Sequence, residues 1–410
     1  MKSFSKGLRL LFLTPLFILG SSQNLLFAQI AIKADTVFTV SGPKLIGGVV
    51  LVNKGKIEAV GSANSIKIPA SYKVLTAKVV TPGLIDAHSV VGLAGIYNTP
   101  HDQDQLELSD AIQPELRAVD AYNGREALVD WVRSFGITTL HTGHAPGALA
   151  SGQTIIVKTL NGSTENAVID SGFAVAMTLG SLVGQNFKKP GTRAKGIAML
   201  RTELIKAREY GKKMLEKDAS KRPARDLKLE VFNDLLNGKF RALITVHKAN
   251  DILTAIRLAN EFGFKLILDG CAEAPLVLNE IKASGSHVIL HATMVRTGGE
   301  AKSASMETAS KLKAAGIKFA IQSGYETYVP KTRVVLYEAG LTLSNGLGFE
   351  DALRSITLSA AEILGLQSRL GSIEKGKDAD LVLFDGDPFE YTSHVCTVII
   401  NGEITNQTCK

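Results

Sequence analysis

Apolar residues near the two ends of the chain alternate with polar ones in short runs, whereas in the middle they form near-continuous blocks. Thr-Val-Phe-Thr-Val at 36–40, Gly-Gly-Val-Val-Leu-Val at 47–52 and Lys-Ile-Glu-Ala-Val at 56–60 are β-rich runs separated by turn residues. Residues 371–410 repeat the pattern, with Asp-Leu-Val-Leu-Phe at 380–384 and Thr-Val-Ile-Ile at 397–400. Short runs of this kind between turns predict strands. Because they bracket everything else, residues 31–80 and 367–410 are expected to form one small composite β-sandwich from both termini.

Between them, in 81–366, apolar strands at 79–89, 136–141, 173–179, 241–247, 265–271, 287–291 and 318–322 alternate with helical segments such as 251–262, 274–284 and 306–315. Strands that are apolar throughout and separated by helices imply a parallel sheet covered on both faces. The repeat count suits a (β/α)8 TIM-like barrel within an α/β fold, and it puts the chemistry at the C-terminal strand ends.

The N-terminus changes the picture of location. Lys2, Lys6 and Arg9 precede an apolar run at 10–19, a polar break at 21–24 and Leu-Phe-Ala at 26–28. This is the layout of a secretory signal peptide over residues 1–28, cut after Ala28 or near Ser22. The apolar core is shorter than the about 20 residues a membrane span needs. Export to the periplasm with no transmembrane anchor after cleavage is therefore expected. The net charge of +7 adds little. Much of the basic excess, between 188 and 228, is interleaved with Glu203, Glu209, Glu216, Asp218 and Asp226, as on a solvated helix face, so no nucleic-acid partner is expected.

The three cysteines, Cys271, Cys396 and Cys409, are too few for a disulfide framework in 410 residues. Asn401-Gly402 is a hairpin signal. Regular pairing around it sets Cys396 opposite Gln407 and leaves Cys409 diagonal, so a disulfide there is open but poorly placed. Cys271 reads as a small buried apolar residue, with a nucleophile as its alternative.

Histidines gather where chemistry is expected. His88, His247, His291 and His144 fall at or just past strand C-termini, and His101 lies in the loop after the first barrel strand. Single rim histidines are commonly structural. Several from different strands can meet only at one barrel end, which is what metal or acid–base chemistry requires. His141 and His144 form a His-x-x-His, a weak signal on a strand because i and i+3 face opposite sides.

VVTPGLIDAHSVVGL at 79–93, GSIEKGKDADLVLFDGDP at 371–388 and SAAEILGL at 359–366 resemble the amidohydrolase superfamily, in its imidazolonepropionase-like group. The resemblance runs from about Ile32 to the C-terminus. It implies a metal-bearing barrel beside a β-sandwich, and hydrolysis of C–N bonds in amides, cyclic amides or amidines. One or two divalent metals would activate water there, with a strand-8 aspartate as base. Transferred residue by residue, the ligand set is degenerate. His88 and His247 survive, whereas Val90, Gln185, Gly270 and Gly324 stand at the other ligand positions.

Two imidazoles fall far short of a fully ligated site, which can be worth roughly 10–16 kcal/mol. Both acidic positions have become uncharged, as suits a pocket without an ion. The resulting expectation is an exported amidohydrolase-like protein without ordinary metal-dependent hydrolysis: a pseudoenzyme, or a ligand-binding or partner subunit, with no cofactor. Its pocket, with Arg296 and Tyr325, would take a small amide or cyclic ligand, and the protein would form a homo-oligomer or a hetero-oligomer with an active relative. The alternative is a true C–N hydrolase with a remodelled mononuclear site, zinc or another divalent metal held by His88, His144, His247 and His291.

Overall fold

A computed structural model describes residues 29–97, 99–325 and 334–409 of the chain. The proposed signal segment lies outside the described residues. Strands β1 (Ile30–Val37), β2 (Leu45–Asn53), β3 (Lys56–Ser62) and β4 (Lys73–Pro82) open the described chain. The central region carries β5 (Leu84–Ser89), β6 (Ile137–Thr142), β7 (Gly152–Gln153), β8 (Ile155–Lys158), β9 (Val168–Asp170) and β10 (Ala174–Thr178). It continues with β11 (Arg241–Val246), β12 (Leu266–Gly270), β13 (His287–Leu290) and β14 (Phe319–Ile321). The last strands are β15 (Leu381–Phe384), β16 (Val395–Ile400) and β17 (Glu403–Asn406).

Strands from both termini share one seven-stranded sheet, in the order β17-β16-β15-β4-β1-β2-β3. Its centre is covered on both faces. Ile30, Ile32, Val50, Leu381 and Ile399 pack on one side, and Ala31, Val49, Leu51 and Tyr72 on the other. In the centre of the chain β10 to β14 form a parallel ladder, and β5 pairs parallel with β6. Between these two sets runs a segment the hydrophobic pattern did not isolate. Residues 152–158 run against their neighbours, with β8 pairing antiparallel to β6 and β7 antiparallel to β10.

On the other side, no backbone ladder joins β14 to β5 among the described residues. A buried carboxylate spans that seam instead. Asp86 accepts the Ser323 N–H at 3.1 Å and the Ser323 hydroxyl as well.

The expected first barrel strand, 79–89, is two strands. Val80 and Pro82 pair with Leu383 and Leu381 in the terminal sheet, and the barrel strand starts only at Leu84. The chain passes between them at Gly83, where a Cβ would lie 2.2 Å from Thr138 Oγ1 and 2.9 Å from Asp380 Cβ. Only glycine fits so close an approach. Val90 lies past the end of β5, its carbonyl accepting the N–H groups of Leu93 and Ala94. It therefore does not continue the His88 face as strand alternation predicts.

The hairpin at Asn401-Gly402 also departs from simple pairing. A bulge slips the register so that Val398 faces Asn406 rather than Thr405. The extra residue carries the last segment one step along, and Cys396 and Cys409 form a disulfide.

The seam between sheet and barrel is ionic. Lys158 of β8 is buried, pairs with Asp380, and lies 3.6 Å from Asp378. Asp378 also receives Lys56 and Arg369. Removing one side of a buried pair strands the other charge. Lys158→Met should lower unfolding stability by about 3 kcal/mol, read by urea denaturation. An unchanged midpoint would show that the pair contributes nothing.

Candidate functional site

Strand alternation builds the site in layers. Leu243, Ile267, Ile289 and Ala320 pack together inside the parallel ladder. Two residues further along the same strand faces come Thr245, Asp269, His291 and Gln322, all buried. An apolar layer is thus overlaid by a polar one at the C-terminal strand ends.

Asp269 organises that polar layer. The His88 Nδ1–H donates to Asp269 Oδ1 at 3.0 Å, Gln322 Nε2 donates to the same oxygen at 2.7 Å, and the Thr245 hydroxyl donates to Oδ2 at 2.6 Å. Burial pushes this carboxyl up, but the His88 charge and the three hydrogen bonds outweigh it and hold Asp269 below the usual carboxylate range. An ionised Asp269 can only accept, which places a proton on His88 Nδ1; when the imidazole is neutral, Nε2 is the lone pair. His88 Nε2 is buried without a partner.

Two rings pack around His88, His141 stacked and Tyr325 tilted. The His141 ring lies 5.6 Å away and the Tyr325 ring 5.5 Å away, centroid to centroid. His141 donates from Nδ1 to the Ala87 carbonyl at 2.6 Å, and its Nε2 accepts from the Thr154 hydroxyl at 2.7 Å. It is a satisfied, buried neutral imidazole. The Tyr325 hydroxyl contacts His247 Nε2 at 3.3 Å. His291 donates from Nδ1 to the Ala292 carbonyl at 2.7 Å, and its Nε2 is buried without a partner, as is His247 Nδ1. Val90 packs with Ala94, Ala145, Leu106 and Tyr325 in an apolar cluster beside this polar layer.

Of the residues expected from sequence, His88, His247, His291 and Tyr325 lie at this barrel end. His144 is buried against Gly152, where an added Cβ would lie 2.3 Å from its ring. Gln185 is exposed on the helix Leu182–Asn186, and Arg296 is exposed in the loop after β13, so neither faces the polar layer. His101 is exposed as well. Cys271 is a buried free thiol whose pKa burial raises well above normal, the opposite of an activated nucleophile.

Sequence reasoning passed over Asp269, Thr245, Gln322, Asp86 and Ser323. The signal for Asp269 was present. It is a lone ionisable residue at the end of the apolar run Leu-Ile-Leu, and such residues are almost never buried unless paired.

The donor set does not fit an ion held at the positions that the family resemblance assigns to ligands. Positions 90, 270 and 324 offer no donor, and among the described residues no group of three or more His, Cys, Asp or Glu side chains is disposed to hold a metal. Gly270 has φ +83° and Gly324 φ +102°, and a Cβ on Gly270 would lie 2.8 Å from His247 Cε1.

Two outcomes follow from this geometry. Gly270→His should cost about 1–3 kcal/mol from left-handed strain and should leave zinc content, by elemental analysis, unchanged; gain of stoichiometric zinc would show that the backbone adapts. The second concerns pH. Burial lowers His141 to about 3 and His144 and His291 to about 4, so each contributes stability present above pH 6.5 that is lost as the pH falls. Asp86, raised by burial to about 6 against hydrogen bonds from Ser323 and the His88 N–H, contributes the opposite way between its usual pKa and 6. With one proton offsetting three, unfolding free energy should drop by about 3 kcal/mol per pH unit near pH 5. Urea titrations between pH 7 and 4.5 measure it; a flat profile would mean the histidines are protonated in place.

Comparison with known proteins agrees with the architecture. Residues 244–406 match the model of the amidohydrolase family. The amidohydrolase tasK of Hapsidospora irregularis is 23% identical over 394 residues, covering 87% of this chain but 39% of that longer protein. The imidazolonepropionase of Fusobacterium nucleatum is 24% identical over 402 residues, covering 87% of this chain and 91% of its own length. The solved structure of an amidohydrolase from Thermotoga maritima superposes with a TM-score of 0.86 at 30% identity, covering 92% of this chain and all of that one. With its α/β architecture of the TIM-barrel type and its polar layer at the strand ends, this chain belongs to the amidohydrolase family.

Proposed function

We propose that the protein hydrolyses a C–N bond in a small cyclic amide or amidine, with the His88–Asp269 pair handling the proton. The observation that carries this reading is the buried His88 imidazole, fixed through Nδ1 by a three-times-bonded carboxylate while Nε2 has no partner. A base oriented by a second group, with its other nitrogen unpartnered, has the form of an acid–base catalyst. Relatives named for C–N chemistry, such as the imidazolonepropionase, support hydrolysis over a purely ligand-binding role.

In this reading water gives a proton to His88 Nε2 as its oxygen bonds to the substrate carbon. Asp269 stabilises the imidazolium that forms. The Tyr325 hydroxyl, beside His247, is the donor available to the developing oxyanion. The C–N bond then breaks as the proton passes from His88 to the departing nitrogen, which restores the starting state. No step calls on a resident ion.

The reading includes export. A basic and apolar N-terminal segment supports it, and so does the Cys396–Cys409 disulfide, since such bonds persist in oxidising compartments.

Assay of cyclic amides and amidines for ring opening or ammonia release tests the chemistry. Asp269→Asn and His88→Gln should each lose about 10²–10⁴-fold in kcat/KM, with chelator-treated wild type unaffected. Activity that appears only on adding zinc would overturn the dyad in favour of a metal on the imidazoles. Saturable ligand binding with no turnover would instead favour the ligand-binding reading.

A further inference from the structure

The same alternation that stacks an apolar layer and a polar layer inside the barrel places a third layer at the opposite end. Two residues before Leu243, Ile267, Ile289 and Ala320 on their strand faces stand Arg241, Lys265, His287 and Lys318. Four strands thus begin with a basic or imidazole side chain at the N-terminal end of the barrel. Three of these residues, Arg241, Lys265 and His287, line one cavity of about 380 Å³. Ser284 and Ser286 line it too, flanking Gly285, a turn glycine at φ +67°.

The charge at this end is not balanced. Glu362 is the carboxylate on the cavity wall, and it is already held by Lys318 at 2.7 Å and Arg354 at 2.8 Å. Among the described residues, Arg241 and Lys265 have no ion pair with a carboxylate. Arg241 is half-buried, its guanidinium lying on the Phe173 ring at 4.8 Å, so its position is set by packing rather than by a counter-charge. A planar, weakly hydrated guanidinium held in place over an aromatic face is suited to receive two oxygens of an anion. Ile256, Phe264 and Ile363 also line the cavity. A cavity of this size, lined by charged, hydroxyl and apolar side chains, matches small-molecule sites rather than a bare ion site.

We propose that the N-terminal end of the barrel binds a small organic anion, its carboxylate or phosphate head between Arg241 and Lys265 and its apolar body against Phe264 and Ile256. This site is separate from the His88 layer, and it stands whether or not hydrolysis is confirmed there. The link between the two ends is short. β11, β12 and β13 each carry a basal cavity residue at or just before their start and Thr245, Asp269 or His291 at or just past the other end.

Calorimetric titration of the full chain with phenyl phosphate, benzoate and inorganic phosphate at low salt tests the proposal. Saturable binding of phenyl phosphate or benzoate, about tenfold tighter than inorganic phosphate, is expected, and the stronger of the two identifies the head group. Lys265→Gln and Arg241→Gln should each weaken it about tenfold, with Lys239→Gln, whose lysine pairs with Asp234 outside the cavity, unchanged. Arg241 also packs on Phe173, so the exposed Lys265 carries the decision if Arg241→Gln unfolds. No saturable binding below about 10 mM, or equal affinity in Lys265→Gln and wild type, would overturn the proposal.

Discussion

One buried carboxylate holds the C-terminal end of this barrel together. Asp269 sits on β12, yet its oxygens take hydrogen bonds from His88 on β5, Thr245 on β11 and Gln322 just past β14. Four strands that are distant in sequence are thereby tied at one height. An ionised carboxylate buried in a protein is tolerable only when its lone pairs are filled, so each partner is constrained by the need to satisfy it. The orientation of His88 follows from this constraint.

A second carboxylate does related work at the seam. No backbone ladder among the described residues joins β14 to β5, and Asp86 takes both the N–H and the hydroxyl of Ser323 instead. The two aspartates differ in what surrounds them. Asp269 has a histidine partner and is held ionised, whereas Asp86 has mainly neutral donors, and burial raises it to about 6. Similar burial with different partners gives opposite protonation tendencies. At the far side of the barrel the buried Lys158, between Asp378 and Asp380, fixes the terminal sheet against β8.

The positions at which the family resemblance places absent ligands have a distinct local geometry. A missing metal ligand could be a side-chain change on an unchanged backbone. At Gly270 and Gly324 the backbone itself occupies left-handed conformations that L side chains rarely adopt, and His247 occupies the space a side chain at 270 would need. Val90 belongs to an apolar cluster with Tyr325, whose ring also contacts His88 at a tilt. The substitutions form a packed arrangement of their own.

Much of this was legible in the residues. Alternation of apolar and polar positions separated the terminal strands from the central βα units, and the histidines at strand ends pointed to the end of the barrel where His88, His247 and His291 lie. What alternation could not supply was anything set by contact between distant segments. The split of 79–89 at Gly83 depends on Thr138 and Asp380, and the Cys396–Cys409 bond depends on a bulge that local turn rules do not include. The reversed strand 152–158 is defined by neighbours on both sides. Asp269 looked like an ordinary residue beside a lost ligand because its importance lies in three donors far from it in sequence. Local periodicity determines which faces are apolar, because it is a property of each strand alone. Which polar groups meet, and which of them are left without a partner, was decided only when the strands were brought side by side.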